Sequence, residues 1–112
     1  MADKEIKGII HYLLKNRARW YIDIYCPEIT EIQEACERAK LFADKELSKL
    51  SLSELYGRYK KWHKGEPIID PNIGHFVSFL NQVIYDLGRS SLEGMDKQYF
   101  EENCVLSFHF IS

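Results

Sequence analysis

A chain of 112 residues has room for one domain, 1–112, and that size can bury a core without help from disulfides or metals. Its 46% hydrophobic and 29% charged residues exclude a disordered body, and no apolar run is long enough to span a bilayer. A net charge of −2 excludes a global bias toward nucleic acid or anionic membrane.

The first element runs from Asp3, a suitable N-cap, to about Trp20, with Ile6, Ile9, Ile10, Leu13 and Leu14 at helical spacing. "WYIDIYCP" then alternates Ile22, Ile24 and Cys26 against Tyr21, Asp23 and Tyr25. That pattern fits a short strand as well as a helix carried on to Pro27. Thr30 with Gln33 makes a capping-box pattern, followed by a face of Ile32, Ala35, Cys36, Ala39, Phe42, Ala43, Leu47 and Leu50. Ser51 with Glu54 repeats the box and starts a third helix whose stripe is Leu52, Leu55, Tyr56, Tyr59 and Trp62, ending near Lys64.

After the loop "KGEPIIDP", Asn72 caps a fourth helix with a face of Ile73, Phe76, Val77, Leu80, Val83, Ile84 and Leu87, and Gly88 stands at C′. A shorter helix starts at Asp96 and carries Tyr99 and Phe100. The tail "CVLSFHFIS" alternates Leu106, Phe108 and Phe110 against Ser107 and His109, as a strand does. A lone strand leaves its backbone unpaired, and 21–26 is the natural partner for 104–111. The expected fold is mainly α: a single-domain bundle of four to five helices, with the option of a minimal two-stranded ribbon.

Cys26, Cys36 and Cys104 are odd in number and form no C-x-x-C, which predicts free thiols behaving as small hydrophobes in a reducing compartment. The start "MADKEIKGII" carries acids where a signal peptide would be basic, so a cytoplasmic location is expected. His11, His63, His75 and His109 show no metal-ligand spacing, and no glycine-rich phosphate loop occurs, so neither a metal nor a cofactor is expected.

"RYKKWH" at 58–63 resembles the R-x4-6-H motif of the HEPN ribonucleases, in which an arginine and a histidine act on the RNA phosphodiester, usually across a dimer interface. The resemblance implies Arg58 on the phosphoryl oxygens and His63 handling the proton. A spacing of five sets the two apart around a helix, so convergence needs a loop or a second subunit. The plainer reading sends Tyr56, Tyr59 and Trp62 to the core and leaves Arg58, Lys60, Lys61 and Lys64 wet. A third reading joins this basic segment to "KNRAR" at 15–19 as a nucleic-acid patch.

Acidic residues gather elsewhere. Residues 28–54 hold seven acids against four bases, and 67–112 hold six against two. Glu28, Glu31, Glu34 and Glu37 recur every third residue, a drifting ridge on a helix. Glu34 is spaced to pair with Arg38 and Glu37 with Lys40, while acids early in a helix also complement its dipole. Asp96, Glu101 and Glu102 around Tyr99 make a second group. Seven tyrosines and two tryptophans suggest a contact surface beyond the needs of the core.

A small, acidic, helical, tyrosine-rich chain resembles in format the bacterial immunity proteins of contact-dependent inhibition and colicin systems. That resemblance implies a non-enzymatic inhibitor whose partner is a cognate protein, a basic toxin domain, with no membrane or nucleic-acid partner. The residues that would bind it are Glu28, Glu31, Glu34, Tyr99, Glu101 and Glu102. An enzyme using Arg58 and His63 is the alternative.

Overall fold

The computed structural model describes residues 2–62 and 73–111. Among them are five α-helices and one two-stranded antiparallel sheet: α1 (Ala2–Lys15), β1 (Trp20–Tyr25), α2 (Thr30–Lys49), α3 (Leu52–Trp62), α4 (Ile73–Ser90), α5 (Gly94–Asn103) and β2 (Val105–Phe110). The mainly α expectation therefore holds, and the ribbon is real. His63, Lys64 and Asn72 lie outside the described residues.

The expected first helix is too long. Asn16 ends it, donating both its backbone N–H (3.1 Å) and its side-chain amide (2.7 Å) to the carbonyl of Tyr12. A 3₁₀ turn at Arg17–Arg19 redirects the chain, and Trp20 opens β1 with its ring 5.3 Å from that of Phe108. Asp3 lies inside α1 rather than before it. The register runs from Trp20↔Phe110 to Tyr25↔Val105, so Ile22, Leu106 and Phe108 point inward while Tyr21, Tyr25, Val105 and His109 face solvent.

α2 also begins differently. The carbonyl of Ile29 accepts the Gln33 N–H at 2.9 Å, so Ile29 is the cap and Thr30 is already helical, with no side-chain cap bond. The second box does form: Ser51 Oγ accepts the Glu54 N–H at 3.1 Å, and Glu54 Oε1 accepts the Ser51 N–H at 3.3 Å. Tyr56 and Tyr59 are buried, as the stripe predicted, whereas Trp62 stands at the margin against Tyr59, His75 and Phe79. Helix α5 starts at Gly94, two residues before the expected Asp96, with Glu93 at its cap.

Gly88 is not a C′ residue; α4 continues past it to Ser90. The glycine lies where α4 meets α2 and β2, and a β-carbon there would sit 2.7 Å from Leu106 Cδ1 and 3.3 Å from the Ala39 carbonyl oxygen. Ala35, Cys36, Ala39 and Ala43 line the facing side of α2, all fully buried, so small side chains on both helices allow the close approach. Gly88→Ala is expected to lower stability by roughly 1–2 kcal/mol through overpacking, although alanine favours a helix by about 1 kcal/mol. A urea unfolding midpoint that rises instead would show that Leu106 can turn aside.

Helix α4 also lies along the β2 edge of the ribbon, where Asn81 Oδ1 accepts the Phe108 N–H. A side chain thus takes the place of a third strand on that edge. The core void among Ile10, Trp20, Leu47, Phe76 and Phe108 measures about 10 Å³, too small for a ligand.

Candidate functional site

The acidic residues are positioned by the joint between β1, α2 and the α5–β2 corner. Pro27 has no N–H to continue a ladder, so β1 stops after Tyr25 and the chain turns into α2. On the partner strand Cys104 closes α5, donating its N–H to Phe100 O at 2.9 Å, and β2 starts at the next residue. One step beyond the last ribbon pair, Tyr25↔Val105, the antiparallel register brings Cys26 beside Cys104.

The cysteines are not three free thiols. Cys36, in the second turn of α2, is bonded to Cys104 with the two Cα atoms 6.5 Å apart, and Cys26 alone is free. All three sulfurs lie within 4.8 Å of one another. Among the described residues this is the group of Cys, His, Asp or Glu side chains close enough to share a metal ion. With the disulfide intact, two of the three thiolates a metal would need do not exist. Burial first, and the nearby Glu37 carboxylate second, push the Cys26 thiol pKa above its ordinary value.

The bond links the two segments that carry the acidic groups the sequence offers as separate surfaces. Glu34 and Glu37 flank Cys36, while Glu101 and Glu102 precede Cys104 by three and two residues. Glu28, Glu31, Glu34, Glu37, Glu101 and Glu102 are all exposed. Arg38 does not pair with Glu34. It reaches across to Asp96 on α5, so α2 and α5 are joined by an ion pair as well as by sulfur. Among the described residues, Glu28, Glu31, Glu34, Glu37 and Glu101 form no ion pair, and Glu102 accepts a hydrogen bond from Gln98 at 3.1 Å.

Tyr99 is half-buried and packs against the core, which leaves less of it for a partner than the sequence suggests. The prominent tyrosine is Tyr25, 81% exposed, paired across the ribbon with exposed Val105 and followed closely by exposed Ile29. Sequence reasoning passed over Tyr25 because its place on the outer face depended on accepting the strand at 20–25. Once that strand is granted, alternation alone points Tyr21, Asp23 and Tyr25 outward.

The basic side is more committed to structure. Arg17 Nη2 donates to both carboxylate oxygens of Asp44, at 2.6 and 2.8 Å, while Nη1 donates to Trp20 O and the guanidinium stacks 3.7 Å from the Trp20 ring centre. Lys7 and Lys60 sit 4.8 and 5.2 Å from the ring centre of Tyr56. Arg58 lines an open groove of about 320 Å³ with Lys61, Trp62, Phe79, Gln82, Val83 and Asp86. Its supposed partner His63 lies outside the described residues. His75 packs edge-on against Tyr59 and Trp62, and His109 stacks on Tyr21 at 5.0 Å.

No family model, no curated protein and no solved structure matches this chain.

Proposed function

We propose that this protein binds and inhibits a cognate protein, and that it is an immunity protein occluding the basic active site of a bacterial nuclease toxin. The observation that carries this reading is that one disulfide links α2 to the end of α5, the two segments that bear the exposed acidic groups. A nuclease cleft is built to receive phosphates, so carboxylates can occupy it in their place. Glu28, Glu31, Glu34, Glu101 and Glu102 would meet the lysines, arginines or histidine of that cleft, with Tyr25 and the exposed edge of Tyr99 packing beside them. Exposed acids that form no ion pair among the described residues also steer a basic partner in and make association fall with salt. This is a stoichiometric binding role without catalysis, exercised in the cytoplasm. Among the described residues, no helix is long and apolar enough to cross a membrane.

The test begins with capture of the tagged protein from its own cells and identification of a stoichiometric partner. The captured partner's catalytic activity, assayed with and without the purified protein, then measures inhibition. The quadruple variant Glu31→Lys/Glu34→Lys/Glu101→Lys/Glu102→Lys is expected to bind at least ~100-fold more weakly, with helical circular dichroism unchanged. Undiminished affinity in that variant would remove the acidic surface from the mechanism.

The Arg58 groove favours one second reading, an HEPN-like ribonuclease. It requires RNA cleavage by the purified protein that disappears in His63→Ala, and equal cleavage by the two proteins would end it. A nucleic-acid adaptor has less support, because Tyr56 and Tyr59 are buried and Arg17 is engaged with Asp44.

A further inference from the structure

The Cys36–Cys104 disulfide is closed to solvent, with its residues 0% and 3% exposed, yet a third sulfur lies within 4.8 Å of both. Cys26 is the partly exposed member, at the end of β1 where the chain reaches the surface. An external thiol has little access to the bonded sulfurs in the folded protein but can reach Cys26. Cys104 is the common partner: it faces Cys36 across the helix joint and Cys26 across the extended ribbon register.

We propose that Cys26, Cys36 and Cys104 form a thiol–disulfide exchange site in which Cys26 carries electrons between external low-molecular-weight thiols and the buried disulfide. The Cys26 thiolate attacks Cys104 Sγ. A Cys26–Cys104 bond forms, the Cys36–Cys104 bond breaks, and the electron pair leaves on Cys36 Sγ, which takes up the proton that Cys26 lost. No net oxidation occurs in this step. The disulfide now has one sulfur at the surface. An external thiolate attacks Cys26 Sγ, giving a mixed disulfide and releasing Cys104 as a thiol. A second external thiol attacks the external sulfur of the mixed disulfide, frees Cys26 and departs as the oxidised external disulfide. Two external thiols are thereby oxidised to one disulfide, and one protein disulfide is reduced to two thiols.

This site stands on the sulfur geometry and is independent of what the acidic surface binds. It also fits a disulfide in a reducing compartment, where such bonds are usually transient and redox-active.

The experiment treats the oxidised, folded protein with reduced glutathione, quenches in acid at timed intervals and counts thiols by alkylation and mass spectrometry. The native disulfide of Cys26→Ser is expected to open at least ~10-fold more slowly than that of the wild type, while in concentrated guanidinium chloride the two open at the same rate. Equal rates in the folded proteins would overturn the proposal. A second reading of the same samples uses the wild type alone, before oxidised glutathione accumulates. Peptide mapping is expected to place the first glutathione on Cys26, and glutathione found first on Cys36 or Cys104 would overturn the relay even if Cys26→Ser failed to fold.

Discussion

Removing the Cys36–Cys104 bond is expected to destabilise the protein by roughly 4 kcal/mol, from the loss of a cross-link that closes a long loop in the unfolded chain. The two residues are 68 apart in sequence, so the bond excludes a large share of unfolded conformations. It joins the second turn of α2 to the corner between α5 and β2, elements that otherwise meet through apolar packing and the Arg38–Asp96 pair. That ion pair is exposed and contributes well under about 1 kcal/mol, so it does not substitute for the bond. Calorimetry of the wild type against Cys36→Ala/Cys104→Ala should show a fall in Tm of about 15 °C for a chain this size. A change below ~1 kcal/mol would mean that the unfolded chain already keeps these segments close.

The same bond gives the binding proposal a redox dependence. Glu34 and Glu37 lie near one cysteine in sequence and Glu101 and Glu102 near the other, so a partner that touched both groups would bind segments the disulfide holds together. Burial and the Glu37 carboxylate raise the Cys26 pKa, so its reactive thiolate, and with it the rate of exchange, is expected to increase as pH rises.

What could be read from sequence follows the range of the interaction concerned. The ribbon was readable because period-two alternation recurs in both 20–25 and 105–110, and each strand needs the other. The Ser51–Glu54 box was readable because its partners are three residues apart. The same local rule failed at Thr30, where the backbone of Ile29 took the cap position first. Gly88 carried an ambiguous signal: glycine near a helix end reads as a cap, and only the nearness of Ala39 and Leu106 shows that it makes room for neighbours. The disulfide could not be read at all, since three cysteines allow three pairings and spacing favours none. The candidate site inherits that limit. Its acids were visible as two separate clusters, while the link between the segments that carry them is a bond spanning more than half the chain.

Phe108→Ala is expected to cost about 3–5 kcal/mol, the range for deleting a fully enclosed aromatic ring. Phe108 is one of two buried residues of β2, with Leu106, that join the ribbon to the helices, and it lies 5.3 Å from the Trp20 ring and lines the core void with Ile10, Leu47, Leu55 and Phe76. Those neighbours come from α1, α2, α3 and α4, so no single element can move in to fill the space without disturbing the others. Alanine would enlarge a void that is now about 10 Å³, and the cavity would remain apolar and empty of water. The backbone bond from Phe108 to Asn81 is unaffected in principle, so the loss measures the ring rather than the edge. Chemical denaturation at constant m-value would isolate this term. Phe108→Leu restores part of the volume and should recover more than half of the loss. A cost below ~1.5 kcal/mol for alanine would show that Trp20 collapses into the space, and that the ribbon is anchored by Ile22 and Leu106 instead.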